Sequence, residues 1–251
     1  MNDGKELLIS SKKIRNKSVI AFGVFLFLIM GAIFIWKWIP KQPRIAGTPA
    51  PLQKVLKANE KVFSGFLNNQ HLAKTYPRSA AAKVARFNGN LGLKSNLDTF
   101  TWRLKLVRNP GDTLSISLDE IKALPKTELV FNFKCIEGWT QVTDWAGVKF
   151  SDFAKKYNLN SQTQLKYVGL ITPDKEYYVG IDMASMMHPQ TLLCYELNGK
   201  PLPLKHGYPL RVIIPVKYGI KSLKRIGTLF FSNTPPPDYW YERGYDYFSG
   251  L

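Results

Sequence analysis

Near the N-terminus apolar positions form one long block; further on they come in short bursts. Residues 18–36, SVIAFGVFLFLIMGAIFIW, are 19 consecutive positions without a charge. At the helical rise per residue they nearly cross a bilayer core, which predicts a single transmembrane helix over 18–39 with Trp36 and Trp38 at the interface. The run is longer than the apolar stretch of a cleaved signal, which favours an uncleaved anchor. Pro40, Pro43, Pro49 and Pro51 then mark a stiff, extended linker over 40–51. Leu52, Val55, Leu56, Val62, Phe63, Phe66 and Leu67 recur near helical spacing, so 52–74 reads as an amphipathic helix within a segment reaching residue 85.

From Thr99 the period shortens. TFTWRLKLV, ELVFNFKC, QLKYVGLIT, EYYVGI, TLLCYEL and PLRVIIPV are short runs rich in β-branched and aromatic residues, and each predicts a strand. Asn198-Gly199 punctuates a hairpin. Two helical pieces interrupt: SLDEIKAL, where Ser117 caps and Glu120 stands three residues on, and SDFAKKY at Ser151. Strands with few helices define an α+β body with mixed sheets over 86–232. The tail over 233–251 carries Tyr239, Trp240, Tyr241, Tyr245, Tyr247 and Phe248. Such an apolar segment is expected to wrap its own domain, although it also suits a docking surface.

Charge adds a constraint. The 251 residues carry 35 Lys and Arg against 18 Asp and Glu, a net +17. Six basic and two acidic residues lie in 1–39, so +4 belongs there and +13 to the rest. That surplus suits anionic partners or simply a solubilising surface. Nucleic acid is not expected, because no helix-turn-helix, aromatic RNP-type strand or finger spacing is present. Lys12, Lys13, Arg15 and Lys17 in the basic segment 1–17 outweigh Lys37, Lys41 and Arg44 beyond the apolar run. The bias predicts an N-terminus inside and the body on the outer, periplasmic face.

Familiar catalytic signatures are missing: GxSxG, a Walker A loop, GxGxxG opening a helix, and HExxH. His71, His188 and His206 lack zinc-site spacing. Cys135 and Cys194 make neither a disulfide framework nor a cluster site, and Cys194 in TLLCYEL reads as a buried structural thiol. What remains is Cys135, in FNFKCIEGWTQVTDWAGVKF, and a basic, glycine-containing segment at 206–227, HGYPLRVIIPVKYGIKSLKRIG. Its cations, backbone N–H groups and the Ser222 hydroxyl suit a phosphate. The same composition also suits a strand followed by a solvated basic loop.

CIEGW followed by DWAGVKFSDF, then MHPQTLLCYELNGKPLPLKHGYPLRVIIPVKYGIKSLKRI, resembles the sulfite-oxidase-like molybdopterin oxidoreductases. The similarity runs from about Arg86 to Leu229 and is strongest to the bacterial branch that contains periplasmic methionine-sulfoxide reductase catalytic subunits. The resemblance implies a sulfite-oxidase-type molybdopterin-binding domain and a molybdenum–molybdopterin cofactor, with Cys135 as the protein's thiolate ligand. A soft thiolate suits such a metal. By the same resemblance Asn88, Thr172, His206, Arg211, Ser222 and Lys224 fall at cofactor-binding positions, with Ser222 and Lys224 in the phosphate loop. Histidine at 206 follows the sulfite oxidases, where the methionine-sulfoxide branch has asparagine, and VKYG replaces a tryptophan-containing segment. No single substrate is therefore carried over.

The activity implied is two-electron oxygen-atom transfer on a small oxyanion or sulfoxide-type substrate. Lys217, Tyr218 and Tyr178 are candidates for the substrate pocket, and Glu137 for an acceptor behind the thiolate. The chain carries no recognisable haem domain, so the expected partner is a membrane-bound haem or quinone-linked redox protein. SSKKIRNKSV contains no Arg-Arg pair, which is at odds with twin-arginine export of a protein folded around its pterin. Two other readings stand beside this one: a thiol enzyme pairing Cys135 with His188 or His206, and a non-catalytic scaffold of the same fold.

Overall fold

The computed structural model describes residues 10–65, 71–94 and 98–250. The chain divides into two compact units at Val55/Leu56.

In the first unit, helix α1 (Ser11–Trp38) contains the whole apolar block and has no buried residue. Its 28 residues extend about 42 Å, and among the described residues it is the one helix long and apolar enough to cross a membrane. The extended linker expected over 40–51 is instead folded. A 3-10 turn, Ile39–Lys41, leads into a hairpin of β1 (Arg44–Ile45) and β2 (Thr48–Pro49). Ala46 and Gly47 both take positive φ, 48° and 77°, the combination that closes a two-residue hairpin. Prolines alone therefore did not keep the segment straight.

Helix α2 (Ala50–Ser64) crosses the division and is shorter than the 52–74 expected. Phe66 and Leu67 of that expectation lie outside the described residues. Residues 71–74 are not helical, because tertiary bonds take over. Ala73 exchanges two hydrogen bonds with the Gln190 side chain, and Tyr76 N–H donates to Val130 O at 2.9 Å.

The second unit is built on two five-stranded sheets among the described residues. The first contains β5 (Lys126–Lys134), β6 (Thr140–Lys149), β9 (Leu192–Leu197) and β10 (Lys200–Pro201), with β11 (Arg211–Ile213) also on β9; every pair is antiparallel. The second, ordered β4-β3-β12-β7-β8, is mixed. It comprises β3 (Leu104–Asn109), β4 (Asp112–Ile116), β7 (Tyr167–Ile171), β8 (Tyr178–Asp182) and β12 (Thr228–Ser232), with β12 parallel to β3. Short helices α3 (Leu118–Lys122), α4 (Phe150–Lys156) and α5 (Met183–Met186) complete the α+β body.

Local sequence signals explain several elements. Ser117 Oγ accepts from Glu120 N–H at 3.2 Å while Glu120 accepts from Ser117 N–H at 2.8 Å, the reciprocal cap expected of that spacing. Asn198 and Gly199, at φ 53° and 69°, turn β9 into β10. The main core gathers Leu104, Leu106, Phe150, Phe153, Leu170 and Leu193. A smaller one holds Phe131, Trp145, Leu192, Cys194 and Ile213. The tail returns onto the unit: Tyr247 and Phe248 are buried, and Lys217 bridges to Gly250.

Candidate active site

Strand periodicity aims the first wall of a cavity of about 130 Å³. Side chains two apart share a face, so Phe133 and Cys135 at the end of β5 both reach it, as do Thr143 and Trp145 of β6. The hairpin between those strands is tight. Cys135 N–H donates to Trp139 O at 2.9 Å and Gly138 N–H to Cys135 O at 3.0 Å, with Gly138 at φ 89°. Cys135 is a free thiol, 7% exposed, at the base of this turn. Trp145 Nε1 donates to Thr143 Oγ1 at 2.7 Å, which fixes the indole against the cavity.

A second wall comes from the loop RFNGN. Asn88 Nδ2 donates to Glu137 Oε1 at 2.6 Å, and Trp139 Nε1 donates to Glu137 Oε2 at 3.2 Å. The Arg86 guanidinium lies 4.6 Å from the Trp139 ring centroid. Glu137 thus ties the loop at 88 to the cysteine hairpin. From the other side, Lys224 Nζ donates to the carbonyls of Asn88 at 2.5 Å and Gly89 at 3.0 Å.

The third wall is the basic segment. His206, Arg211, Gly219, Ile220, Ser222 and Lys224 line the cavity together with Cys135. Arg211 is 3% exposed and lies 4.6 Å from the Trp145 ring centroid. Its Nη1 and Nη2 donate to the backbone carbonyls of His206 (3.1 Å) and Ser222 (3.0 Å). Its Nε and the Ser222 Oγ are buried without a hydrogen-bond partner among the described residues. Burial lowers the guanidinium to about 10, so it stays cationic at neutral pH. Burial, then Arg211, lowers Lys224 to about 7. Burial, reinforced by Arg211, Lys224 and Lys205, lowers His206 to about 4, leaving a neutral imidazole.

A buried cation lacking a carboxylate, beside an orphaned hydroxyl, is costly without an anion between them. These residues fit an anionic, phosphate-bearing group at one part of the cavity and a thiolate-bound soft metal at Cys135.

Of the residues singled out from sequence, Asn88, Cys135, His206, Arg211, Ser222 and Lys224 line this one cavity. Thr172 does not. Its Oγ1 donates to Asp174 Oδ1 at 2.6 Å and accepts from Tyr177 N–H at 3.1 Å, which spends the hydroxyl inside the 172–177 turn. Tyr177, in contrast, does line the cavity.

The three substrate-pocket candidates are corrected. Lys217 is buried elsewhere, its Nζ 2.7 Å from Asp182 and 2.6 Å from Phe248 O. Tyr178 donates to Glu242 at 2.5 Å, and Tyr218 N–H donates to Ser249 O. None of the three lines the cavity. The pairing of Cys135 with His188 is corrected as well. His188 Nε2 contacts His71 O at 3.1 Å and its Nδ1 accepts from Gln190 N–H at 3.3 Å, so the ring is committed elsewhere. Cys194 is fully buried, which pushes its thiol up.

Sequence reasoning missed Arg86, Phe87, Trp145, Tyr177 and Trp240 as lining residues. Trp145 carried a signal, since it stands two positions from Thr143 in what proves to be a strand. Trp240 carried none; only the returning tail brings it in.

Residues 90–240 match the family described as the oxidoreductase molybdopterin binding domain, and the chain belongs to that family. It is a molybdopterin-dependent oxidoreductase of the sulfite-oxidase-like class. That membership decides among the three readings against the thiol enzyme and the scaffold.

Among its relatives, an Azospira oryzae protein provisionally named protein-methionine-sulfoxide reductase subunit YedZ1 is 34% identical over 194 residues, 76% of this chain and 73% of that one. The protein-methionine-sulfoxide reductase catalytic subunit MsrP of Xanthomonas campestris pv. campestris is 33% identical over 225 residues, 81% of this chain and 69% of its own. Among solved structures, the sulfane dehydrogenase SoxCD from Paracoccus pantotrophus aligns with TM-score 0.49 and 16% identity over 66% of this chain. This chain spans 46% of that one.

Proposed function

We propose that the protein is a membrane-anchored molybdenum–molybdopterin oxidoreductase. It acts on a small oxyanion or sulfoxide-type substrate and exchanges electrons with a separate haem- or quinone-linked membrane partner. When bound, the cofactor supplies two-electron oxygen-atom transfer, and the chain supplies binding, orientation and electrostatics. The observation that carries the reading is the convergence of Cys135, Arg211 and Ser222 on one cavity, with Arg211 Nε and Ser222 Oγ buried and without a hydrogen-bond partner among the described residues.

In this reading Cys135 is the thiolate ligand. Among the described residues no three of His, Cys, Asp and Glu gather into a metal site; the pterin would supply the other ligands. Arg211, Ser222 and Lys224 would hold the phosphate, and Asn88, clipped to Glu137, would contact the pterin. Thr172 acts through Tyr177. His206 presents a neutral ring to the site and offers a hydrogen bond without a competing positive charge. The sulfoxide class is supported by the names of the relatives. The oxyanion class is supported by the histidine at 206.

The anchor reading rests on α1, and the excess of basic residues ahead of its apolar block, Lys12, Lys13, Arg15 and Lys17, supports a body on the outer face. Two experiments test the proposal. Full-length protein loaded with cofactor is assayed for viologen-driven sulfoxide reduction and for dye-coupled sulfite oxidation. Activity in one assay that Cys135→Ser abolishes supports it, and inactivity of loaded protein in both contradicts it. Carbonate extraction of membranes tests the anchor: retention in the pellet is expected, and release into the supernatant contradicts it.

A further inference from the structure

The wall formed by Gly219, Ile220, Ser222 and Lys224 is interrupted at Lys221 and Leu223, and only the first of these is charged. Lys221 stands between two lining residues but does not line the cavity, and it is only 1% exposed. Its Nζ lies 2.5 Å from Asp238 Oδ2 and donates to Gly180 O at 3.1 Å. Asp238, 2% exposed, also accepts from Gly180 N–H at 3.1 Å and from Tyr241 N–H at 3.0 Å. One carboxylate therefore joins β8, the tail and the turn that presents Ser222.

A second tether lies alongside. Tyr177 OH donates to Ile220 O at 2.6 Å, and its ring meets that of Tyr239 in the tail edge-on, with centroids 5.6 Å apart. The fit is close: a Cβ on Gly180 would lie 1.8 Å from Tyr247 Oη. A buried ion pair adds little stability over a well-packed apolar pair. What it does supply is one fixed distance between the turn and the tail.

We propose that Lys221 and Asp238 are positioning residues for the cofactor-binding turn. They hold Gly219–Ser222 against the tail so that the Ser222 hydroxyl stays aimed beside Arg211, and the tail thereby governs how long the pterin is retained. The inference rests on the phosphate lying at Arg211 and Ser222, as proposed above.

The test uses full-length, cofactor-loaded protein and follows pterin and molybdenum remaining after timed gel filtration. Lys221→Met combined with Asp238→Asn removes both charges and keeps the side-chain volumes. Cofactor loss should accelerate about tenfold, the scale seen when a partner behind a metal or cofactor ligand is removed. The thermal midpoint of the cofactor-free protein should meanwhile stay close to wild type. Tyr178→Phe, which cuts the tail's bond from Glu242 to β8 without touching the turn, should leave the loss rate unchanged.

A wild-type loss rate in the double variant overturns the proposal, and so does equal acceleration in Tyr178→Phe. If the double variant does not accumulate, Asp238→Asn alone decides by the same criterion. Arg211→Met separates the two levels of argument. If it loses the cofactor while the double variant keeps it, only the tether is wrong; if it retains the cofactor at the wild-type rate, the phosphate placement fails and the tether with it.

Discussion

Arg211 stacks on Trp145 with 4.6 Å between the guanidinium and the ring centroid, and its Nε has no hydrogen-bond partner among the described residues. The indole is itself pinned by Thr143, so the cation is held in one orientation by β6 and β11 together. A stacked guanidinium with a free donor is a preformed half of an anion site.

Removal of Arg211 or Ser222 therefore separates cofactor binding from folding. Ser222→Ala deletes a hydroxyl that no described residue satisfies. The cofactor-free protein should lose less than about 1 kcal/mol, or gain stability, while cofactor retention falls. Arg211→Lys should not rescue the loss in Arg211→Met, because an ammonium lacks the planar fork. Thermal melts of cofactor-free protein beside pterin content measure both.

His206 makes stability depend on pH. It stays neutral in the folded protein down to about 4 and titrates near 6.5 when unfolded. Between those values the unfolded chain binds the additional proton, so this group destabilises the cofactor-free protein progressively as pH falls from 6.5 towards 4. Above 6.5 it contributes nothing to the dependence. Denaturant titrations across that window should show a flatter pH profile for His206→Gln than for wild type.

Gly147 sits where β6 shifts register against β9, and a Cβ there would lie 2.0 Å from Leu193 O. Backbone cannot yield as a flexible side chain would. Gly147→Ala should cost about 3 kcal/mol or more. Calorimetry should accordingly show a melting temperature lower by on the order of 10 °C.

Much of the body was legible because its signals are local. The apolar block, the Ser117–Glu120 cap and the Asn198-Gly199 turn each follow from a few neighbouring residues. β6 was not, because it is buried on both faces over Thr143–Val148 and so shows no alternation, and its Asp144 and Gly147 read as turn residues. β12 was missed as a five-residue run whose partners, β3 and β7, lie far away in sequence.

The site divides in the same way. Cys135 stood out through its surroundings, and the cations at 211 and 224 through their density. Which lysines face the cavity was not readable, because Lys217 and Lys221 turn to Asp182 and Asp238, and nothing in the sequence around 217–224 distinguishes them from Lys224. The approach of Asn88 to Glu137, 49 positions apart, likewise exists only once the loop at 88 has settled against the cysteine hairpin.

If Cys135 holds a molybdenum centre, metal analysis of molybdenum per chain reads it out. Wild type and Cys135→Ser are purified from a host that makes the cofactor, beside a known molybdenum enzyme from the same host. Near one molybdenum per wild-type chain is expected. The variant should lose the metal, or keep it with a changed molybdenum spectrum. Folded wild-type protein without molybdenum, from a host that loaded the control enzyme, would contradict a centre held by Cys135. So would an unchanged metal content and spectrum in Cys135→Ser.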